Sequence, residues 1–337
     1  MRAAVIQTGE TVPRLEVVKA PEPIPDACSL LLVAKAAGLN RADLGMRTAG
    51  FGHKSSLTLP IAGFEVAGEV TRVGQDVVGF KPGDRVMAMA HGAFAERVVV
   101  DYRLALTIPD YLSWEEAAAI PVAFLTAHDA LVTNGEMRSG NDVLIQAASS
   151  AVGIAAIQVA QAKGATSVIG TSTSPQKLKR LEALGLTHPI DVSVSDFVQR
   201  ALEITGGKGA EVIIDFLGRG VTAGNLAAAS LGGRIISVGR MAGNVDEINL
   251  DELARKRLKL IGVTFRTRSL QEHAAVVQSF KEDMFSHLAG LRFKMPIDRV
   301  FPLEDIAAAY EYMGSNTQIG KIVVSLATGR SDRCMAP

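Results

Sequence analysis

The chain has 337 residues, with 35 acidic and 35 basic side chains and a formal net charge of zero. That balance argues against a general nucleic-acid binder or a membrane binder relying on a basic surface. Although 48% of residues are hydrophobic, no run approaches the ~20 uninterrupted apolar residues that span a bilayer. The length fits two domains, each with its own core. Cys28 and Cys334 are the two cysteines, so disulfides cannot carry the fold, and a reducing cytoplasm and a small-molecule partner are expected.

Met1-Arg2 leads directly into a strand, so no export signal is expected. Over roughly the first third of the chain, short apolar runs between closely spaced turn signals predict strands at 70–73, 85–90 and 96–100 in a β-rich domain. Lys81-Pro82-Gly83-Asp84-Arg85-Val86 reads as a turn entering a strand. Gly63-Phe64-Glu65-Val66-Ala67-Gly68-Glu69-Val70 places glycines where chain segments pack closely.

The pattern then changes to repeated strand–helix units, with six strands expected at 143–147, 167–171, 188–191, 211–216, 234–238 and 259–263. Continuous apolar runs such as Val212-Ile213-Ile214 imply a parallel sheet covered on both faces, hence a doubly wound domain. After the first of these strands, small residues lead to a turn at Gly153 and an Ala-rich helix. The backbone of Ser150, Ala151, Val152 and Gly153 would there hold a pyrophosphate. Ser150 and Ala151 stand where a Gly-rich fingerprint has glycine, and an α/β fold that binds no dinucleotide is the alternative.

An NAD site carries an acidic residue about 20 positions beyond this turn; here the second strand ends in Thr171 and Ser172, with Lys177 one helical turn later. Hydroxyls and an ammonium suit a 2′-phosphate, which points to NADPH. The alternative is that Ser174-Pro175 caps a helix whose Lys177, Lys179 and Arg180 lie on a solvated face. The fifth and sixth strands end in Val238-Gly239-Arg240 and Thr264-Phe265-Arg266, so Gly239, Arg240, Phe265 and Arg266 would complete the cofactor cradle at the carboxyl edge of the sheet. Phe265 either packs on a ring or fills a seam, and Asp215 is read as structural.

Gly38-Leu39-Asn40-Arg41-Ala42-Asp43, Gly63-Phe64-Glu65-Val66-Ala67-Gly68, Gly83-Asp84-Arg85-Val86, Ala117-Ala118-Ala119-Ile120-Pro121, Phe124-Leu125-Thr126-Ala127, the Ser-rich turn and Ile319-Gly320-Lys321-Ile322-Val323 carry a resemblance over nearly the whole chain. They resemble the medium-chain dehydrogenase/reductase superfamily, specifically its zinc-independent quinone oxidoreductases. Asn40-Arg41-Ala42-Asp43 and 264–269 are most similar to the stress-inducible NADPH quinone oxidoreductase branch. The resemblance implies an α/β fold, a doubly wound Rossmann domain with a parallel sheet plus a GroES-like β-rich catalytic domain. The catalytic domain would comprise 1–122 and 267–330, the NADPH-binding domain 123–266, and the flexible tail 331–337. A homodimer joined through the sixth strand is also implied. So are Asn40 lining the nicotinamide or polarising a substrate carbonyl, a Thr126 hydroxyl meeting the nicotinamide, the Phe265 backbone as a ligand, and Lys321 near the phosphates.

Zinc-dependent relatives need a cysteine near Asn40, a histidine near Phe64 and a four-cysteine lobe. Two distant cysteines and six scattered histidines (His53, His91, His128, His188, His273 and His287) offer no such set. No metal is expected, and without a Lewis acid the expected direction is reduction of an electrophilic substrate. Gly45 and Phe51 stand where many of these enzymes place tyrosines in the substrate cleft, and Val192 replaces a tyrosine often found beside the adenosine phosphate. Proton delivery would then fall to water, which suits a quinone. The expected activity is NADPH-dependent hydride transfer to a small quinone in the interdomain cleft, catalysed mostly by positioning. The alternatives are reduction of an enone or enoyl-thioester double bond, a zinc-independent alcohol dehydrogenase, and a non-catalytic NADPH-binding structural or regulatory protein.

Overall fold

The computed structural model describes residues 1–7, 14–49, 60–290 and 293–326, excluding the side chains of 46–49. Phe51, His53 and the tail 331–337 lie outside them. The chain divides into two units, Met1–Pro121 with the segment from Ile297 onward, and Val122–Pro296.

The first unit opens with β1 (Arg2–Gln7) paired antiparallel to β2 (Arg14–Lys19). Next come β3 (Ser29–Leu39), α1 (Arg41–Ala49), β4 (Glu65–Val73), β5 (Arg85–Met89), β6 (Arg97–Asp101), β7 (Ala105–Thr107) and α2 (Trp114–Ala118). The eleven residues of β3 are mostly buried, and β4 and β6 both pair with it antiparallel. Gly68 permits the β3–β4 approach, since a Cβ there would sit 2.6 Å from the Val33 carbonyl oxygen. The turn into β5 closes as its sequence implies: the Lys81 N–H donates to Asp84 Oδ2 at 2.8 Å, and Gly83 takes φ +92°.

In the second unit, α3 (Pro121–His128) continues through a π-helical turn at Asp129–Asn134. There follow β8 (Asp142–Ile145), α4 (Ala151–Ala162), β9 (Ser167–Ser172), α5 (Pro175–Glu182), β10 (His188–Asp191), α6 (Phe197–Ile204), β11 (Ala210–Asp215), α7 (Thr222–Ala228), β12 (Ala229–Ser237), α8 (Leu250–Arg255), β13 (Lys259–Gly262) and α9 (Leu270–Ala289). The six strands run parallel in the order β10-β9-β8-β11-β12-β13. The order reverses between β8 and β11, the switch point at which open α/β sheets bind ligands beyond their strand ends. Val212, Ile213 and Ile214 are all buried, which accounts for their unbroken apolar run.

The chain then returns to the first unit with β14 (Ile297–Pro302), α10 (Ile306–Gly314) and β15 (Lys321–Ser325). β15 docks antiparallel on β3, giving the order β14-β15-β3-β4-β5-β7 with β6 also on β3. The second domain boundary therefore falls near 296 rather than 267. The reason is α9: Val277, Phe280, Met284 and Leu288 are buried, and its Asp283 lies 3.0 Å from His128 Nε2 and accepts from Lys163 at 2.9 Å. These contacts tie α9 to the second unit. No helix among the described residues is long and apolar enough to cross a membrane.

Candidate functional site

The loop between β8 and α4 turns at Ala147, which adopts φ +48°, a conformation with no special preference for alanine. Ser150 is extended and caps the helix, its Oγ accepting from the Gly153 N–H at 3.1 Å. Gly153 is thus not the turn residue but part of the first helical turn. Its role is close approach, because a Cβ there would lie 2.6 Å from the Ala148 carbonyl oxygen. The amides of Ala151 and Val152 precede the intrahelical ladder of the 12-residue α4 and sit at its positive end. A pyrophosphate fits this cradle, since small residues leave the backbone accessible and the helix supplies donors.

At the end of β9, Ser172 Oγ lies 3.4 Å from Ser149 Oγ and accepts from the Ser174 N–H at 3.2 Å. Ser174 caps α5 by accepting from the Lys177 N–H, with Pro175 at the first helical position. Capping and a basic first turn therefore coexist, and Lys177 follows the Ser172 hydroxyl by one turn. Asp191 is the register partner of Ser172, yet its carboxylate is engaged by Ser193, through the backbone N–H at 3.0 Å and the hydroxyl at 2.6 Å. Val192 donates its N–H to the Ser172 carbonyl and packs on the apolar core of this unit.

Thr171 requires a correction. Strand side chains alternate between faces, and while Ser172 ends the strand, Thr171 is 1% exposed. Its hydroxyl donates to Gln146 Oε1 at 2.7 Å and accepts from the Ala147 N–H at 3.1 Å, so it supports the turn and is not a ligand. Gly239 is required by the Phe216 carbonyl oxygen, 2.5 Å from where its Cβ would stand; Arg240 beside it is exposed. Asp215 accepts from the Leu217 and Gly218 N–H groups at 2.7 and 3.0 Å, and burial raises its carboxyl, in keeping with a structural role. The Phe265 carbonyl faces His273 Nε2 at 2.9 Å and its ring stands under Arg268 at 4.8 Å. That carbonyl is therefore committed within the unit. The exposed Arg266 donates its N–H to Thr264 Oγ1. Thr126 is buried in α3.

The first unit holds a second constellation, in which β3, α1, β4 and β15 converge. Asn40 Nδ2 donates to Glu65 Oε1 at 2.8 Å and to the Gly38 carbonyl at 3.3 Å, and Asn40 Oδ1 accepts from Lys321 Nζ at 2.5 Å. Lys321 also pairs with Glu65 and reaches the Leu39 carbonyl at 3.3 Å; the two charged side chains are 1% and 0% exposed. Asp43 Oδ2 accepts the Asn40 N–H at 2.7 Å, its Oδ1 is buried without a partner, and burial pushes the carboxyl up to about 8.

These bonds correct two expectations. Lys321 is not a strand-end cation available to phosphates, because its three donors are directed at Glu65, Asn40 and Leu39 inside the first unit. Asn40 does not offer its amide N–H groups to a substrate carbonyl, because both point at Glu65 and Gly38. In the sequence Glu65 and Asp43 stand out only as parts of motifs. For Glu65 the available signal is its placement as a charge within an apolar run, where a charge persists only if paired or neutralised.

Gly45 lies in α1 with nothing within 4 Å of where its Cβ would be; Phe51 is outside the described residues. Among the described residues no group of three His, Cys, Asp or Glu side chains could hold a metal ion. His91 meets Phe64 edge-on, His287 stacks on Phe293, and burial lowers the pKa of His128.

Residues 27–110 match the family model of the alcohol dehydrogenase GroES-like domain, and residues 151–282 that of zinc-binding dehydrogenases. The quinone oxidoreductase of Pseudomonas syringae pv. tomato DC3000 is 30% identical, covering 96% of this chain and 100% of its own, with a TM-score of 0.85. The Escherichia coli quinone oxidoreductase, solved in complex with NADPH, is 29% identical over 96% of this chain and 99% of its own, at 0.82. The CurK enoyl reductase is 26% identical over 96% and 98%, at 0.81. The spectinabilin polyketide synthase system protein NorB of Streptomyces orinoci is 32% identical over 90% of this chain, which spans 14% of that much longer protein.

Proposed function

The chain belongs to the medium-chain dehydrogenase/reductase superfamily, and on that premise we propose that it is an NADPH-dependent quinone oxidoreductase working without zinc. The observation that carries this reading is the pairing of the Ser150-capped helix with Ser172 and Lys177 at the end of the next strand. The Ala151 and Val152 amides would hold the pyrophosphate, and Ser172 and Lys177 a 2′-phosphate. Asp191, the nearby carboxylate, has its Oδ1 engaged by Ser193. The likeness to the Escherichia coli enzyme solved with NADPH supports the same assignment.

When bound, NADPH supplies the hydride that reduces a quinone to its hydroquinone. The residues of this chain orient and exclude. Arg240 and Arg266, beyond the ends of β12 and β13, add positive charge at the carboxyl edge of the sheet. Gly239 and Phe265 shape that edge, and the Thr126 hydroxyl orients the nicotinamide. Asn40 is held rigidly within the first unit by Lys321 and Glu65. Gly45 leaves open space beside α1, and water delivers the proton, as the weak acidity of a hydroquinone allows. A homodimer through β13 is part of this reading: it is the edge of the six-stranded sheet, and its Leu260 is exposed. The likeness to the CurK enoyl reductase favours reduction of an activated carbon–carbon double bond as the second reading.

Anaerobic oxidation of NADPH and of NADH, with 1,4-benzoquinone, an ortho-quinone and a simple enone as acceptors and added zinc as control, tests the assignment. Rapid NADPH-specific loss with quinones, insensitive to zinc, supports it. Turnover with the enone alone moves the function to double-bond reduction, and tight binding without oxidation leaves a non-catalytic protein.

A further inference from the structure

Beneath the β8–α4 turn runs a buried polar chain that no step of the reaction uses. Gln146, Thr171 and Asn225 are each 1% exposed or less. Gln146 Nε2 donates to Asn225 Oδ1 at 2.8 Å, and the Thr171 hydroxyl donates to Gln146 Oε1 at 2.7 Å. With its single proton so committed, the Thr171 oxygen accepts from the Ala147 N–H at 3.1 Å. The Thr171 carbonyl also takes the Ala148 N–H at 2.9 Å. Ala147 is the residue held at φ +48°, a backbone region that residues with a Cβ rarely occupy.

The geometry is over-determined at the one place where the backbone must present α4 to a phosphate. Two successive amides of the turn, Ala147 and Ala148, are tied to one residue of β9, and that residue is tied through Gln146 to α7. Asn225 pins the far end even though its Nδ2 is buried without a partner. An unsatisfied buried donor is costly, and its amide is set by the Gln146 bond.

We propose that Gln146, Thr171 and Asn225 form a positioning relay that sets cofactor affinity by fixing the phosphate-binding turn, without any of them touching the cofactor. The proposal rests on the NADPH reading of this site. Thr171→Val keeps the shape and removes the hydroxyl, whereas Thr171→Ser keeps the hydroxyl. On the full chain, nicotinamide fluorescence gives the Kd for NADPH, turnover with benzoquinone gives KM and kcat, and a thermal melt gives Tm.

Thr171→Val is expected to raise the Kd and KM for NADPH about tenfold, the worth of one buried hydrogen bond, with kcat within about twofold of wild type. Thr171→Ser should restore the wild-type Kd. A Thr171→Val protein that melts lower yet binds NADPH with the wild-type Kd overturns the proposal, since the chain would then only stabilise the fold. Should Thr171→Val fail to fold, Asn225→Ala, two bonds further along the relay, is read in the same way, and an unchanged Kd again overturns it. A wild-type chain that binds no NADPH refutes the reading of the site itself, and the relay with it, a result distinct from a variant-specific failure.

Discussion

Lys321→Met removes the cation that pairs with Glu65, whose side chain has zero exposure, in a buried cluster. The Glu65 carboxylate would retain the Asn40 amide but lose the Lys321 ammonium, and Asn40 Oδ1 and the Leu39 carbonyl would lose the same donor. Breaking a buried pair from one side typically costs ~3–5 kcal/mol, because an uncompensated charge is left behind. For a chain or unit of this size each kcal/mol moves Tm by roughly 2–4 °C, so the melt should fall by something on the order of 6–20 °C. The double change Lys321→Met with Glu65→Leu should recover most of that loss, since an apolar pair of similar volume often matches a buried ion pair. Urea unfolding followed by circular dichroism, with calorimetry for Tm, measures all three proteins. A single variant within about 1 kcal/mol of wild type, or a double variant no more stable than the single, would refute the claim that Glu65 is desolvated and held by Lys321.

Asp43 gives a pH-dependent counterpart. Its folded carboxyl sits at about 8 while the unfolded chain titrates near ~4. Between those values the folded state carries the extra proton, so this group lowers stability progressively as pH rises from ~4 to about 8. Asp43→Asn should flatten that slope and be more stable relative to wild type at pH ~9 than at pH ~5; parallel curves in urea titrations across this range would count against it. Gly153→Ala places a methyl 2.6 Å from the Ala148 carbonyl oxygen, so the loop or the helix must shift. The expected outcome is a loss of ~1–3 kcal/mol with weakened NADPH binding, checked by urea unfolding and fluorescence titration, and a variant matching wild type in both would show that the approach is not required.

The six parallel strands were legible because burial on both faces leaves a direct mark, unbroken runs such as Val212-Ile213-Ile214. Ser174-Pro175 was equally plain, since its chemistry is local. Gly153 was legible as important but not for the right reason. A glycine after small residues reads as a turn, whereas the left-handed residue is Ala147, a type that gives no such signal. Thr171 and Ser172 look alike in sequence and both are buried, and only the strand's alternation separates them, taking Thr171 to Gln146 and Ser172 to Ser149. Lys321 and Glu65 are 256 residues apart, so their pairing exists only once β15 docks on β3 and β4 packs beside it. The domain boundary was missed for a related reason. The amphipathic pattern of α9 declares an apolar face but not its partner, and the choice is made by Asp283 with His128 and Lys163.

The most direct test of the central claim is the ratio of NADH to NADPH dissociation constants, titrated on one preparation of the wild-type chain and of Lys177→Ala. If Ser172 and Lys177 hold a 2′-phosphate, wild type should favour NADPH by about tenfold or more, and Lys177→Ala should erode that preference while leaving NADH affinity unchanged, as loss of a charge-assisted bond requires. Equal affinities for the two cofactors in the wild-type chain, or a preference indifferent to Lys177, would contradict it.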